Sequence, residues 1–507
     1  MNLNRLLFLR FIAISLLFVS LVACGSIPQE AIVPVQPSIT LPQPSLPTSS
    51  LVTVTPLSLP TAPIITETVE PVQQVDSIPS NIPKYLLMVD FDYPEHILDV
   101  VETVEYTNLT SETLDYIFFV IEPNRLRKTF ELKDLRWGDN QRIQIYDLRY
   151  AKLEVPLRRP LAPGKSEVIK ISYRLMMPYL DATFGYTNRQ MNVANWYPFI
   201  PPYKSGVGWI IRDPSSVGEH LTYDEADYNV EIHPSNDSKN IIIAAPAPAK
   251  YENEIYYYEH KTARNFVWSA SHDYEIVWAK VGEVNVMGYV FPNDVEAGKY
   301  AARFTREALE LYSKLYTPYR RPLLTFVEAN FSDGMEYDGL YFLGLFYFAN
   351  KPDKGAQSGL AMLSVHETAH QWWGGVVGND QAYEPWLDEA FSTFSELLFY
   401  EQLYPHLTDW WWGNRVRGFA PSGYVNGDIY HESDLRHYIN AVYLRGTIFL
   451  DELRQRIGKE TFMTFLQEYV KRNEYRITNT QDFFNLLTEI APSGWSDLSA
   501  KYFSPKN

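Results

Sequence analysis

The sequence has no pair of cysteines, no excess of basic residues and no long apolar run, and each absence excludes a structural or functional feature. Cys24 is the only cysteine among 507 residues, so no disulfide can form within the chain. Acidic residues (61) outnumber basic ones (44), and the formal charge of −17 argues against a nucleic-acid partner, which requires a basic surface. The apolar run near the N-terminus, residues 11–22, is too short to cross a bilayer comfortably.

The chain has enough apolar residues for large cores, since 46% of it is hydrophobic and 15% aromatic. Its length allows two or three domains at about 150 residues each. Residues 24–83 are rich in proline, serine and threonine and are predicted to form a disordered tether. Residues 84–283 contain short runs of period two, which predict an antiparallel, β-sandwich-like domain. Residues 284–507 follow a helical period, beginning with a stripe at 294–316, so the predicted fold class is α+β with several domains.

Residues 1–23 are typical of a lipoprotein signal peptide. Arg5 and Arg10 precede the apolar run, and the segment ends at Ala23 and Cys24 in a pattern that resembles a bacterial lipobox. The resemblance implies lipidation of Cys24, attachment to a membrane through that anchor, and a location in the bacterial cell envelope outside the cytoplasm. The alternative is an ordinary secretory signal with a stray cysteine; the absence of any other cysteine favours the lipobox.

Two short motifs carry the candidate chemistry. His366 and His370 are four residues apart, so a helix places both imidazoles on one face, and Glu389 begins a second helical segment as a third ligand. Two histidines and a carboxylate suit Zn²⁺ better than calcium or magnesium, so we expect one zinc ion per chain. Glu367 lies beside the pair and can take a proton from a bound water. A chance match on a solvated helix would not bring this third carboxylate.

Glu396 is the candidate for orienting a metal-bound histidine. It lies seven residues after Glu389, about two turns further along the same helix face. Histidine ligands usually need such a partner on their second ring nitrogen. The alternative is an ordinary solvated helix glutamate.

These motifs resemble those of the aminopeptidase N family, gluzincin zinc peptidases in which His-Glu-x-x-His is followed, eighteen residues later, by a glutamate. The family's Trp-Leu-Asn-Glu-Gly-Phe-Ala corresponds to Trp-Leu-Asp-Glu-Ala-Phe-Ser at 386–392. Its Gly-Ala-Met-Glu-Asn segment corresponds to Gly-Met-Glu-Tyr at 334–337, and its Tyr-x-Lys-Gly to Tyr-Leu-Arg-Gly at 443–446. The resemblance covers residues 84–507 and implies a thermolysin-like catalytic domain at 284–507.

The resemblance also implies roles for individual residues. Glu336, with Gly334 and Met335 beside it, is expected to bind the free α-ammonium group of a substrate. Tyr443 is expected to stabilise the oxyanion of the tetrahedral intermediate. Tyr337 replaces the family's usual asparagine. Full-length family members continue into a long helical C-terminal domain, and the chain ends too soon to hold one, which implies an open cleft.

The resulting hypothesis is a membrane-anchored, extracytoplasmic zinc metallopeptidase that removes N-terminal residues from peptides. One alternative is an endopeptidase with the same site. A second is a non-catalytic lipoprotein that binds peptides, and the intact ligands and intact Glu367 count against it.

Overall fold

The computed structural model describes residues 81–505 except positions 239, 350, 351 and 433, and these residues belong to one compact unit. The predicted signal peptide at 1–23, the candidate lipidation site Cys24 and all but the end of the predicted tether at 24–83 lie outside the described residues. In the described part, no helix is both long and apolar enough to span a membrane.

The N-terminal part of the described chain is built from strands. They are β1 Lys84–Asp92, β2 Ile97–Thr107, β3 Leu114–Val120, β4 Phe130–Trp137, β5 Asp147–Arg149, β6 Lys152–Leu161, β7 Ser166–Met176, β8 Phe184–Tyr186, β9 Met191–Val193, β10 Tyr203–Lys204, β11 Gly208–Trp209, β12 Ala226–Pro234, β13 Ile242–Ala244, β14 Ala249–Glu252, β15 Ile255–Ala263 and β16 Trp268–Ser271. The largest sheet has the order β14-β15-β12-β1-β2-β7-β4, and smaller sheets are β13-β16-β9-β8, β3-β6-β5 and β10-β11.

The alternating pattern of the sequence decides which face of these strands is buried. In β1, Leu87 and Val89 are fully buried, whereas Leu86 and Met88 point to solvent. Most strand neighbours are antiparallel, but β1 and β12 run parallel. The sheet-rich domain is therefore confirmed, but the pairing is mixed, because β1 and β12 run in the same direction.

The C-terminal part combines one mixed sheet with helices. Its strands are β17 Glu275–Val281, β18 Val284–Val290, β19 Leu323–Ala329, β20 Met335–Tyr337, β21 Leu340–Gly344, β22 Val377–Asn379 and β23 Arg476–Thr478, and its helices are α1 Val295–Leu315, α2 Leu345–Ala349, α3 Gly359–Ala369, α4 Trp386–Leu403, α5 Thr408–Trp411, α6 Leu435–Tyr438, α7 Gly446–Ile457, α8 Lys459–Arg472, α9 Thr480–Ile490 and α10 Ser496–Tyr502. Two π-helical stretches, Trp412–Val416 and Ile439–Arg445, continue α5 and join α6 to α7.

The five-stranded sheet has the order β17-β18-β19-β21-β20, which leaves β20 at one edge. The helix predicted at 294–316 is confirmed as α1, and its apolar stripe packs on β17, β18, α3 and α4. The hairpin formed by β17 and β18 spans the predicted domain boundary at 283/284. That boundary stays a prediction.

The β-rich and helical parts meet across buried contacts. A small apolar cluster joins Val267 from the first part to Leu340 and Phe342 from the second. Arg264, paired with Glu225, donates hydrogen bonds to backbone carbonyls of the helical part, including that of Gly375 at 2.7 Å. Because Arg264 and Glu225 are both buried, their charges need this mutual compensation.

Candidate functional site

Helix α3 carries both histidines on one buried face. Its N-terminus is capped by Ser358, whose hydroxyl accepts a hydrogen bond from the backbone N–H of Ala361 at 3.2 Å. His366 and His370 lie one turn apart at the other end, and their Nε2 atoms are 3.2 Å apart. The spacing read from the sequence therefore brings the two imidazoles to one point.

Glu389 reaches the same point from the first turn of α4. Its Oε2 lies 3.3 Å from His366 Nε2 and 3.5 Å from His370 Nε2. Among the described residues, this buried oxygen accepts no hydrogen bond. We call His366, His370 and Glu389 the metal corner.

The donor set of the metal corner fits a zinc ion. Bonds of about 2.0–2.1 Å in a tetrahedral arrangement place neighbouring ligand atoms about 3.3 Å apart. The three separations in the metal corner are 3.2, 3.3 and 3.5 Å. A buried carboxylate oxygen without a donor, between two ring nitrogens, is the arrangement that a cation would compensate.

The second ring nitrogens of both histidines are already engaged. His366 Nδ1 donates to Glu396 Oε1 at 2.8 Å, and His370 Nδ1 donates to the backbone carbonyl of Trp373 at 3.1 Å. These contacts leave the Nε2 lone pairs of both rings free to bind a metal. The structure thus places Glu396 where the helix spacing predicts it, while the Trp373 carbonyl had no signal in the sequence.

Glu367 projects from α3 beside the metal corner and against Gly334. A Cβ atom at Gly334 would overlap Oε1 of Glu367, so this position accepts only a glycine without displacing the carboxylate. Burial raises the pKa of Glu367 to about 8, against the opposing effect of His366 and His370. A cation bound at the metal corner would lower this pKa.

Tyr443 lies in the π-helical stretch between α6 and α7. Its ring lies nearly parallel to the His366 ring, with an interplanar angle of 10° and ring centroids 6.2 Å apart. Burial, and then the neighbouring carboxylate of Glu389, raise the pKa of Tyr443 well above its usual value, so the hydroxyl stays a donor. Gly446 lets the start of α7 lie close against α4, because a Cβ atom at this position would overlap the side chain of Ala390.

Two further carboxylates lie beside the metal corner. Glu336 projects from the edge strand β20, and Glu219 comes from a loop of the β-rich part; each has an oxygen within 4.8 Å of the other and of Glu389. Gln381 donates to Glu336 Oε1 at 3.1 Å. Burial, and then repulsion from Glu336, raise the pKa of Glu219 well above its usual value. We call Glu219 and Glu336 the acidic seat.

The acidic seat opens into a cavity of about 240 Å³ between the two parts of the molecule. Its lining includes Asn195 and Glu219 from the β-rich part and Glu336, Tyr337 and His370 from the helical part. A ligand that fills this cavity would contact both parts and His370 of the metal corner.

The structure brings together the described residues that the sequence singled out for the site. They are His366, Glu367, His370, Glu389, Glu396, Tyr443, Glu336, Gly334 and Met335, and their functional roles stay predictions. Tyr337, which replaces the family's asparagine, lines the cavity, whereas Arg445 points away from the site and donates to the backbone of Lys501. Sequence reasoning missed Glu219 and Gln381, because neither lies in a periodic segment or a recognisable motif.

Comparisons with known proteins cover the segment of the chain that carries this site. Residues 300–502 match the model of the peptidase family M1 domain. The endoplasmic reticulum aminopeptidase 1 of Mus musculus is 27% identical over 224 residues, which are 41% of this chain and 24% of that protein. Aminopeptidase M1-B of Oryza sativa subsp. japonica is 28% identical over 215 residues, or 40% of this chain and 25% of that protein. The chain spans about a quarter of the length of these curated relatives.

Solved structures match over a larger part of the chain. An M1 zinc metallopeptidase from Deinococcus radiodurans covers 84% of this chain and 95% of its own, with a TM-score of 0.60 and 19% identity. A mutant of that protein bound to a Tyr-Ser-Ala substrate gives a TM-score of 0.58. At this identity the likeness concerns the fold, and it confirms a sheet-rich domain followed by a helical one.

Proposed function

We propose that this chain, a member of the aminopeptidase N-like zinc metallopeptidases of family M1, removes N-terminal residues from peptides. The curated relatives that share its catalytic segment are named as aminopeptidases. The geometry of the site supports the same type of reaction here.

The observation that carries this proposal is the acidic seat beside the metal corner. Oxygen atoms of Glu219, Glu336 and Glu389 lie within 4.8 Å of one another, although like charges at that distance repel. A peptide N-terminus offers one positive charge and several N–H donors in a small group, which Glu219 and Glu336 can share. The interior of a peptide offers only a neutral amide with one donor. The site therefore favours a chain end over an internal bond.

The remaining residues have distinct tasks in hydrolysis. His366, His370 and Glu389 would hold the zinc ion, which, when bound, polarises the substrate carbonyl and acidifies a water molecule. Glu367 accepts the proton of the attacking water and delivers it to the leaving amine. The Tyr443 hydroxyl donates a hydrogen bond to the carbonyl oxygen as negative charge develops on it. Glu219 and Glu336 hold the substrate so that its first peptide bond faces these groups.

A screen of matched peptides tests the proposal. Aminoacyl anilides and short peptides with a free N-terminus are compared with their N-acetylated forms, with and without a chelator. We expect chelator-sensitive cleavage of the free forms and little of the blocked forms. Equal or better cleavage of the blocked forms would support the endopeptidase alternative, and zinc binding without any cleavage would support a non-catalytic peptide-binding protein.

We also propose that Cys24 carries a lipid anchor that holds the protein outside the cytoplasm in a bacterial cell envelope. The support is the sequence of residues 1–24, with its two arginines, apolar run and terminal cysteine. Fractionation of cells that express the full chain or the Cys24→Ala variant tests this. We expect the full chain in the membrane fraction and labelled by a fatty-acid probe; an unlabelled, membrane-free full chain contradicts the anchor.

A further inference from the structure

Glu396, the residue that orients His366, is itself held by a set of donors that the proposed function leaves unexplained. The carboxylate is fully buried and is surrounded by His366, Trp411 and Arg415. Oε1 accepts from His366 Nδ1 at 2.8 Å, and Oε2 accepts from the Trp411 indole Nε1–H at 2.9 Å. A buried carboxylate with partners on both oxygens cannot rotate without breaking a hydrogen bond.

Arg415 closes this arrangement from the other side. Its Nε lies 3.2 and 3.1 Å from the two oxygens of Glu396, and its Nη2 lies 3.0 Å from Oε1. The planar guanidinium presents its donors at fixed angles, so this contact fixes the plane of the carboxylate as well as its charge. A lysine at this position would supply the positive charge but not the several N–H donors at fixed angles.

The local backbone explains how both donors reach one carboxylate. Trp411 is the last residue of α5, and Arg415 lies four residues later in the π-helical stretch Trp412–Val416. Single π-helical turns are uncommon and frequently occur at functional sites. Of the three tryptophans at 410–412, Trp411 is therefore the one whose buried indole N–H donates to Glu396.

We propose that Arg415, assisted by Trp411, is a positioning residue of the zinc site that acts through Glu396 on the ring of His366. Arg415 orients Glu396, Glu396 accepts the Nδ1–H of His366, and His366 Nε2 consequently points at the metal corner. The inference rests on the proposed zinc site. The partners of metal-bound histidines typically change metal affinity by about 10- to 100-fold when they are removed.

Zinc affinity of the full chain, measured by competition with a chelator of known affinity, tests this inference without using catalysis. We expect Arg415→Met to weaken zinc binding by up to about 10-fold, since it acts one contact further out than the direct partners whose removal costs about 10- to 100-fold. Arg415→Lys should also bind zinc more weakly than the parent chain, because it keeps the charge but loses the donors at fixed angles. Arg417→Met is the matched control, since that arginine is 62% exposed, lies two residues away and faces Asp409 at 3.8 Å; it should bind zinc like the parent chain.

The results separate positioning from simple charge compensation. Parent-like zinc affinity in Arg415→Lys would overturn the inference, because charge alone would then suffice. If Arg415→Met does not fold, as judged by thermal unfolding, Arg415→Lys and Trp411→Phe decide the matter, and each should lower zinc affinity. A parent chain that binds zinc without cleaving peptides would contradict the proposed function while leaving this inference standing.

Discussion

The metal corner and the acidic seat share a border at Glu389 but are assembled in different ways. The metal corner comes from residues 366–389 on the consecutive helices α3 and α4: the four-residue spacing pairs the histidines, and the packing of α4 against α3 adds Glu389. The acidic seat combines a loop of the β-rich part with an edge strand of the helical part. Under the proposed function, hydrolysis would depend on the helix pair α3 and α4, whereas the choice of a chain end would depend on how the β-rich and helical parts meet.

Replacing Glu367, the proposed general base, should have the largest effect on activity and should lower the rate for every substrate alike. We expect Glu367→Gln to lower kcat by about 10²- to 10⁴-fold, because it removes proton transfer and leaves the metal ligands in place. The measurement is the steady-state rate on a free-amine anilide, with zinc content determined on the same sample. Unchanged kcat in a zinc-loaded variant would contradict the role of Glu367.

Removing the phenol hydroxyl should have a somewhat smaller effect of the same kind. We expect Tyr443→Phe to lower kcat by about 10²- to 10³-fold with little change in KM, because the hydrogen bond forms mainly in the transition state. The neighbouring Tyr438→Phe variant is a useful comparison, since its ring lies 5.7 Å from that of Tyr443 on the same helical segment. Equal losses in both variants would argue for a packing effect of this segment.

Neutralising the acidic seat should discriminate between substrates. We expect Glu336→Gln and Glu219→Gln each to lower kcat/KM for free-amine substrates by about 10- to 100-fold, since a hydrogen bond to a charged group contributes about 1.5–3 kcal/mol. Zinc content should not change. Any residual cleavage of N-acetylated substrates should persist.

The control for the acidic seat is Glu283→Gln, because that side chain is fully exposed (100%) on the hairpin formed by β17 and β18. It should cleave both substrates like the parent chain. If the seat variants lose free and blocked substrates equally, the seat has no special role in recognising the N-terminus, and the contrast with the metal corner fails.

The junction that supports the acidic seat should affect stability rather than catalysis. His260, in β15, is buried and its Nε2 donates to the backbone carbonyl of Asp338, two residues after Glu336, at 3.0 Å. Burial, and then the positive charge of Arg321, lower the pKa of His260 to about 3. In the unfolded chain the pKa of histidine is about 6.5. Between about pH 3 and about pH 6.5 the unfolded chain therefore binds more protons than the folded chain.

The sign of the pH dependence follows directly. His260 contributes stability above about pH 6.5, and that contribution falls by about 1.4 kcal/mol per pH unit as the pH drops towards the folded-state pKa. Denaturant unfolding of the parent chain and of His260→Gln at several pH values measures the difference. We expect a flatter acid dependence in the variant. Identical slopes in the two proteins would contradict the prediction.

Much of the fold was predictable where residues repeat at a fixed interval. The apolar stripe of α1 and the alternation of β1 are both visible in the sequence, because one element buries one face. The parallel pairing of β1 with β12 was not predictable, since the two strands are far apart in the chain and carry no mark of being neighbours.

The candidate site divides in the same way. Glu396 was predictable because it lies two helical turns from Glu389 on the same face. Arg415 holds Glu396 from a different segment, and Glu219 lies in a loop, so neither had a pattern in the sequence. Tyr443 and Glu336 were recognisable only through the resemblance to a known family.

The sequence by itself determined the pairing of His366 and His370 and the position of Glu367 beside them, because helix geometry converts a four-residue spacing into two adjacent imidazoles. Only the tertiary structure decided how Glu389 on α4 meets the two histidines on α3 and which groups lie beside the metal corner. The acidic seat and the cavity depend on contacts between distant segments. Those contacts form only when the β-rich and helical parts bury their common surface, and no local periodicity encodes that event.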